Sequence, residues 1–537
     1  MAGQVKIKVN PLHIEGTAQK GLTVFQAARN HNIFLRSDCG EKGTCGKCRV
    51  IAEPSGNLGP KTKTEEKLLS ASQLESSQRL ACQAKICGPV TITIPTDLMV
   101  TDDVYGKTGV NGSFPVNPDR KKTKKTCTGF AFDIGTTTIA AYLCDLASGR
   151  VLTAKAMVNP QRQFGEDVIS RIAAIGVDEK NLKLQQTLVA AAMNDLINTC
   201  LKTTGHGKAD VDDITVVGNT TMEHILSGLN PKSLGVSPYL PVTRSSIQTW
   251  APELGLDLLP ETPVYIFPVI SGFLGGDILS ALLADRSWEK EETTLIIDIG
   301  TNGELMLSCP NGLWATSCAT GPALEGAQIS CGMRAAPGAI SKVFFNPEAE
   351  NQILLETIEN KKPIGICGSG IIDALAAMRK ACVTLENGTF NTEKPGVFCD
   401  EKGMGRKFLL PKSNIYITLK DVRQVQLAKA ALFVGIEALL QKAGITTVDR
   451  TLLTGAFGAK FIWQNARDIG MLPHGICKGK IKSAQNLAGT GAIIALLDKD
   501  RRTEIEAIAR KINFLDLSCE PDFTAKFSNA TQFPALK

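Results

Sequence analysis

The feature that most constrains this chain is an internal repeat. One copy reads Gly129-Phe-Ala-Phe-Asp133-Ile-Gly135-Thr136-Thr137-Thr138, then Ile139-Ala-Ala-Tyr-Leu-Cys, a Ser148-Gly149 turn and Val151-Leu-Thr-Ala. The other reads Leu295-Ile-Ile-Asp298-Ile-Gly300-Thr301-Asn302-Gly303-Glu304, then Leu305-Met-Leu, an Asn311-Gly312 turn and Leu313-Trp-Ala-Thr. Each predicts a strand, an acidic-glycine turn, a strand, a tight turn and a third strand. A second correspondence lies downstream. A helical stretch from about Leu182 to Leu201 leads into Ile214-Thr-Val-Val-Gly218-Asn, and one from Val425 to about Lys442 leads into Thr451-Leu-Leu-Thr-Gly455-Ala456-Phe457-Gly458. The same order of elements met twice predicts two similar lobes with a cleft between them.

The turns carry the chemistry of that cleft. A strand ending in Asp-Ile-Gly-Thr sets a carboxylate beside backbone N–H groups and a hydroxyl, and its glycine lets the backbone approach a phosphate closely. Two such turns facing each other grip a polyphosphate from both sides, with Asp133 and Asp298 holding Mg²⁺ through waters. The Gly455-Ala456-Phe457-Gly458 loop falls where the backbone passes close to a purine and ribose. One such turn is common; the pair followed by a Gly-rich loop is far more specific.

Ahead of the repeat stands a second chemical module. Val5, Ile7 and Val9 alternate with Lys6 and Lys8 as a strand, and Thr23 can cap a short helix from Val24 to about Asn30. Then comes Cys39-Gly-Glu-Lys-Gly-Thr-Cys45-Gly-Lys-Cys48, with glycines at 40, 43 and 46. Thiolates bind ferric iron strongly, and small residues let the loop wrap so that N–H groups face the sulfurs. The spacing has one residue more than the plant-type C-x4-C-x2-C. A zinc knuckle would pair two short C-x2-C hooks, and only one is present here. The fourth thiolate has two candidates, Cys82 and Cys87. His13 and His31 lack the Cys-x-His pairing of a Rieske centre and read as ordinary strand or surface residues.

From Thr96 to about Thr126 periodicity gives way to Gly, Pro, Asn and Lys, which reads as a tether between the two modules. The run Lys121, Lys122, Lys124 and Lys125 within it reads as solvated linker. A net charge of +6 over 537 residues, with no basic stretch interleaved with aromatics, disfavours nucleic acid as a partner. No apolar run approaches the ~20 residues that span a bilayer, so no membrane partner is expected. The N-terminus lacks the apolar core of a signal peptide. Sixteen cysteines without an export signal point to a reducing cytoplasm rather than a disulfide framework. Those outside the N-terminal set, Cys309 and Cys318 on the second repeat among them, read as small buried apolar side chains, as does Cys87 beside Gly88-Pro89. None of the five histidines stands out as catalytic, and His224 reads as a satisfied structural residue.

The C-x5-C-x2-C spacing resembles adrenodoxin-like ferredoxins of the β-grasp fold. Leu80-Ala81-Cys82-Gln83 resembles their fourth-ligand strand, which implies Cys39, Cys45, Cys48 and Cys82 as ligands of a [2Fe–2S] cluster. The repeats resemble the actin, sugar-kinase and heat-shock ATPase superfamily, and Gly489-Thr-Gly491-Ala492 resembles its second connecting segment. The implied fold class is α+β multidomain. A β-grasp ferredoxin domain (1–95) and a linker (96–127) precede two ribonuclease-H-like α/β ATPase lobes (128–294 and 295–500) and a C-terminal extension (501–537).

The whole chain resembles the reductive activators of corrinoid proteins. Stretches such as Gly218-Asn-Thr-Thr-Met222, Ser271-Gly-Phe-Leu-Gly-Gly-Asp277, Thr320-Gly-Pro-Ala-Leu-Glu-Gly326 and Gly365-Ile-Cys-Gly-Ser-Gly370 add to the likeness. The resemblance implies an iron–sulfur ATPase that returns an inactive cobalt(II) corrinoid protein of a methyltransferase system to cobalt(I). All-cysteine plant-type clusters lie near about −400 mV, and the cobalt couple lies lower. A gap of ~120 mV costs about 2.8 kcal/mol per electron, small enough for an ATP-driven conformational step to offset. In this scheme Gly135, Thr136, Thr137, Gly300, Thr301, Asn302 and Gly303 cradle phosphate. Asp133 and Asp298 organise Mg²⁺ and the attacking water, and Gly455 to Gly458 contact adenosine. Glu304 and Glu325 stand near the phosphates, with structural roles equally open. An upstream low-potential electron donor and a homodimer are further implied. Two alternatives are an activator of a radical dehydratase, which usually lacks a ferredoxin domain, and an electron carrier whose nucleotide lobes do not hydrolyse ATP.

Overall fold

A computed structural model describes the chain apart from residues 1–2, 11–13, 32, 34, 36–38, 40, 70, 96–107, 111, 118–126, 327, 400–404, 456–461 and 536–537. It divides into two compact units, Met1–Asp102 with Val158–Val189 and Asp103–Met157 with Ala190–Lys537.

In the first unit β1 (Gln4–Asn10), β2 (Ile14–Gln19), β3 (Arg49–Glu53), β4 (Gln78–Leu80) and β5 (Val90–Thr93) form one sheet in the order β2-β1-β5-β3-β4. β1 and β5 run parallel and the other neighbours antiparallel. The period-two pattern of β1 buries Val5, Ile7 and Val9 and exposes Lys6 and Lys8. The helix Val24–Asn30 starts from the expected Thr23 cap, which forms a capping box with Gln26. It buries Val24, Phe25, Ala27 and Ala28 in the same core as Val50, Leu80 and Ile92. Each such large aliphatic contributes about 1.5–3 kcal/mol by leaving water. This is the β-grasp arrangement.

The next helix, Lys63–Leu68, is capped by Thr62, with Glu65 as the third residue that closes the box. Glu65 is fully buried, with both carboxylate oxygens in use. It accepts from Thr62 N (2.9 Å), Leu80 N (3.0 Å) and the buried Arg79 at Nε (2.8 Å) and Nη2 (3.0 Å). Burial alone would raise its pKa, but the Arg79 bond and the amides overcome that and hold it below the usual value of 4.5. A depressed carboxylate stabilises the fold above its unfolded pKa and loses that contribution as pH falls through the folded one. Glu65→Ala strands the Arg79 guanidinium and is expected to cost about 3–5 kcal/mol. Urea unfolding of the full chain at pH 7 checks this, and a loss under 1 kcal/mol would contradict it.

The second unit holds the duplication. β6 (Thr128–Ile134), β7 (Thr138–Asp145), β8 (Val151–Val158), β9 (Val211–Gly218), β10 (Ile247–Trp250) and β11 (Pro263–Ile266) form one sheet in the order β10-β11-β9-β6-β7-β8. The second repeat supplies β12 (Thr294–Ile299), β13 (Gly303–Cys309) and β14 (Gly312–Cys318). Two three-stranded sheets intervene. The first holds β15 (Ala339–Phe345), β16 (Ile353–Thr357) and β17 (Gly365–Ile366), the second β18 (Val397–Cys399), β19 (Arg406–Leu409) and β20 (Tyr416–Thr418). Then β21 (Arg450–Thr454), β22 (Lys480–Ser483) and β23 (Ile512–Phe514) complete the order β22-β21-β12-β13-β14-β23. Residues beyond 501 thus furnish an edge strand of the second sheet, parallel to β14.

The repeat survives as register. Asp133 on β6 lies between Ala140 of antiparallel β7 and Val217 of parallel β9. Asp298 on β12 lies between Glu304 of antiparallel β13 and Thr454 of parallel β21. The helices that precede β9 and β21 run Lys180–Thr204 and Leu419–Ala443, each extending beyond the periodic stretch seen in sequence. The helix Leu487–Leu497 packs on Gly276–Asp285, where Ser280 Oγ donates to Ala488 O (2.5 Å) and a Cβ at Gly491 would overlap Ser280 O. Within the 96–127 interval, Val110 is buried, Phe114 N donates to Gly149 O (2.9 Å) and Asn117 Nδ2 donates to Asp498 Oδ1 (2.9 Å). This part of the tether is packed. The Lys121–Lys125 run and His13 lie outside the described residues.

Candidate cluster and nucleotide sites

Cys39, Cys45 and Cys48 lie on the loop between the helix Val24–Asn30 and β3, and Cys82 follows β4 directly. Gly43 (φ +70°) and Gly46 (φ +66°) take the left-handed conformation that favours glycine, so the loop turns tightly between its cysteines. Gln83 Nε2 lies 3.7 Å from Cys82 Sγ, and a Cβ on Gly43 would stand 2.8 Å from that amide. Ala81 N donates to Cys48 O (2.8 Å), tying the loop to the strand end.

The four thiols fall into two pairs. Cys39 bonds with Cys45, and Cys48 Sγ lies 3.4 Å from Cys82 Sγ. Cys45 acts electrostatically on Cys48 and Cys39 on Cys82, so the pairs share one field. The Cys45 thiol brings the Cys39 pKa down to about 4, against the pull of burial and with help from the Thr44 and Cys45 backbone N–H groups. In the other pair the mutual bond pushes Cys48 up and Cys82 down. Among the described residues no group of three or more His, Cys, Asp and Glu side chains closes on a single metal ion. Four thiols disposed as two pairs, one of them poised as thiolate and both near backbone or amide donors, are a donor set that fits iron–sulfur ligation.

Cys87 is exposed rather than buried, which corrects the expectation from its Gly88-Pro89 neighbours. Its backbone N–H is used by Asn57 O (2.8 Å), and its thiol is left on the outside of that turn. Cys318 is buried as expected, its thiol pushed up to about 12 by burial, and a Cβ on Gly435 would overlap its sulfur. Cys309 is half-buried, whereas Cys382, Cys399 and Cys519 are exposed. His224 is a core residue. Its Nδ1 meets Thr220 O (2.8 Å), its Nε2 accepts from Val242 N (3.0 Å), and burial lowers its pKa.

The two acidic turns lie in the second unit. Gly135 N donates to Thr138 O (2.9 Å) and Gly300 N to Asn302 O (3.0 Å), closing each turn over its aspartate. Asp133 is buried, and Asn486 Nδ2 donates to its Oδ2 (2.9 Å) and reaches Tyr142 Oη (2.6 Å). Burial, and then the Asp133 charge, push the Tyr142 phenol well up, so it stays protonated. Asn219, which caps the helix Thr220–Leu226, donates to Thr136 Oγ1 (2.8 Å). Thr137 and Thr301 both donate to Glu325, to Oε2 (3.0 Å) and Oε1 (2.6 Å) respectively. One carboxylate therefore links the two turns.

Behind Asp298 stands a group of buried acids. Glu304 is pushed well up, first by burial and then by the Asp277 and Asp298 charges, and it hydrogen-bonds the Asp277 side chain. Glu223 is raised by burial and by Asp277, although Gly218 N donates to it (3.1 Å). Burial thus favours the neutral form of each, which eases the repulsion among the gathered carboxylates. Gly455 (φ +89°) closes the opposite side, since a Cβ there would overlap Asp298 Oδ1. Ala456, Phe457 and Gly458 lie outside the described residues. Gly303 is buried, and a Cβ on it would stand 2.8 Å from Leu432 Cδ1, so packing also demands its small size.

Residues 7–87 match a family described as a 2Fe-2S iron-sulfur cluster binding domain. Residues 128–287 match the RACo middle region, and 292–537 the C-terminal domain of RACo, the ASKHA domain. The fold and these matches define an iron–sulfur protein carrying an ASKHA nucleotide-binding module. The chain is 34% identical over 435 residues, 78% of its length and 72% of the other's, to the corrinoid activation enzyme RamQ of Eubacterium limosum. It is 29% identical over 282 residues to the [Co(II) methylated amine-specific corrinoid protein] reductase of Methanosarcina barkeri, covering about half of that protein (49%). Among solved structures it resembles a reductive activator for corrinoid,iron-sulfur protein, with a TM-score of 0.68 and 28% identity over 99% of this chain and 98% of that one. The chain belongs to the family of reductive activators of corrinoid proteins, which are iron–sulfur oxidoreductases.

Proposed function

We infer that this chain uses ATP to drive one electron onto the cobalt(II) form of a corrinoid protein in a methyl-transfer system, giving cobalt(I). The observation that carries the reading is the presence of both a paired four-thiol site and two facing acidic turns in one chain of the corrinoid-activator family. Cys39, Cys45, Cys48 and Cys82 hold the [2Fe–2S] cluster, which supplies the one-electron step when bound. Gln83, Gly43 and Gly46 shape the wall around those thiols.

In the cleft, Gly135, Thr136, Thr137, Gly300, Thr301, Asn302 and Gly303 receive the phosphates, and Gly455 to Gly458 receive adenosine. Asp133 and Asp298 orient Mg²⁺ and the attacking water. Asn486 fixes the Asp133 carboxylate, and burial with the Asp277 and Asp298 charges favours the neutral form of Glu304, which eases repulsion against Asp298. Nucleotide closure biases the complex toward a state in which transfer is favourable, offsetting an unfavourable potential gap. The electron enters from an upstream low-potential donor. We further propose a cytoplasmic homodimer organised as residues 1–95, 96–127, 128–294, 295–500 and 501–537.

The reading is tested by mixing the reduced full chain with an oxidised corrinoid protein, with and without Mg-ATP, and following cobalt(I) absorbance. The signal is expected only with Mg-ATP. Reduction that ignores ATP would make the chain a simple carrier, and no reduction of any corrinoid protein would redirect the search to a radical dehydratase.

A further inference from the structure

Glu325 bonds to both turns at once. Its Oε2 accepts from Thr137 Oγ1 (3.0 Å) and its Oε1 from Thr301 Oγ1 (2.6 Å). The two hydroxyls belong to opposite repeats, 164 residues apart, so the carboxylate is the piece that joins them. Its own placement is not accidental. Pro322–Glu325 forms a 3-10 turn bounded by Gly321 (φ +68°) and Gly326 (φ +74°), and a Cβ on Gly326 would stand 2.5 Å from Met333 O. Ala323 and Leu324 are buried in the core, whereas Glu325 is half-buried and faces the turns. The backbone is anchored while the acid is presented.

A threonine hydroxyl carries one proton and so makes one donated bond at a time. Thr137 and Thr301 therefore cannot serve Glu325 and a phosphate oxygen together. A carboxylate and a polyphosphate also repel at this range. We propose that Glu325 is a latch that competes with the nucleotide phosphates for Thr137 and Thr301, so that triphosphate binding must break both bonds and phosphate departure lets them re-form. This rests on the reading of the cleft as an ATP site. Glu325 then acts as a positioning residue that couples phosphate occupancy to the separation of the two turns. Its two bonds subtract from nucleotide affinity, which favours product release over tight retention.

The test is equilibrium binding of Mg-AMPPNP to the full chain with its cluster, for the wild type, Glu325→Ala, Glu325→Gln, Thr301→Val and the Glu325→Ala/Thr301→Val double variant. Glu325→Ala is expected to bind about tenfold tighter, the scale of two modest hydrogen bonds released. Glu325→Gln, which has lost the charge but can still bridge, should tighten binding less. Thr301→Val should weaken binding more in the Glu325→Ala background than in the wild type, because only there is the hydroxyl already free. A purely structural role would not produce that coupling. If Glu325→Ala loses its native circular dichroism, the isosteric Glu325→Gln decides by the same direction of change. Unchanged or weaker binding by a folded Ala or Gln variant overturns the latch alone. Failure of the wild type to bind any Mg-nucleotide overturns both the latch and the ATP reading.

Discussion

Cys82→Ser is expected to remove the visible absorbance of the [2Fe–2S] centre and all corrinoid reduction, while Mg-nucleotide binding stays within about twofold of wild type. The effect should exceed the 10–100-fold losses typical of partners that only orient a ligand. Two observations set its size. Cys48 and Cys82 form one of the two thiol pairs, so losing Cys82 leaves Cys48 alone on its side of the site. The strand end that carries Cys82 is fixed by the Ala81–Cys48 backbone bond and by the Glu65 carboxylate on Leu80 N, so no neighbouring thiol can slide into its place. Cys87 is the natural control. It is exposed, with its backbone N–H on Asn57 O and its thiol near Lys85 O (3.8 Å), so Cys87→Ser should leave absorbance and activity intact. Iron and acid-labile sulfide analysis, with the visible spectrum after anaerobic reconstitution, reads both variants. A Cys82→Ser protein with its full chromophore, or a colourless Cys87→Ser protein, would reverse the choice of fourth ligand.

The parts of this molecule that could be read in advance are those whose signal is local. The two Asp-Ile-Gly turns announce themselves within ten residues, and their equivalence reappears as matched registers of Asp133 and Asp298. The Thr23 cap is a four-residue pattern and forms as expected. What escaped reading is whatever depends on chain crossing. Asn486 fixes Asp133 from 353 positions away, and the Gly489–Ala492 pattern that follows it marks a helix start without pointing to that carboxylate. Asn219 and Asp277 lie inside stretches whose sequence shows a likeness to a family but no role for either residue. Glu223 was overshadowed by the adjacent His224, although the histidine is core and the acid faces Gly218 and Asp277. At Cys87 a small apolar residue beside Gly-Pro suggests burial, whereas the turn's backbone bonds leave its side chain exposed. Glu304 and Glu325 could be placed near the phosphates, but only the three-dimensional arrangement separates a buried acid from a bridge between turns.

The complementary result is expected at the other site: Asp298→Ala should abolish the ATP requirement's benefit, cutting Mg-ATP-dependent cobalt(I) formation by about 10²–10³-fold, with the cluster spectrum unchanged. Asp298 lies at the end of β12, half-buried, with Glu304 opposite it on β13 and Gly455 pressed so closely that no side chain fits between. That crowding holds the carboxylate in one orientation, the condition for positioning Mg²⁺ and the attacking water in the proposed reaction. Asp298 also helps push Glu304 up. Removing its charge lets Glu304 ionise at lower pH, so a partial rescue of Mg²⁺ binding at alkaline pH is expected in the alanine variant and not in the wild type. Asp298→Asn keeps the shape beside Gly455 and isolates the charge, and it should lose the ATP effect to the same degree. Should either variant retain ATP-stimulated reduction while Asp133→Asn loses it, the working carboxylate would be the one held by Asn486, and the second turn would serve phosphate binding through Thr301 alone.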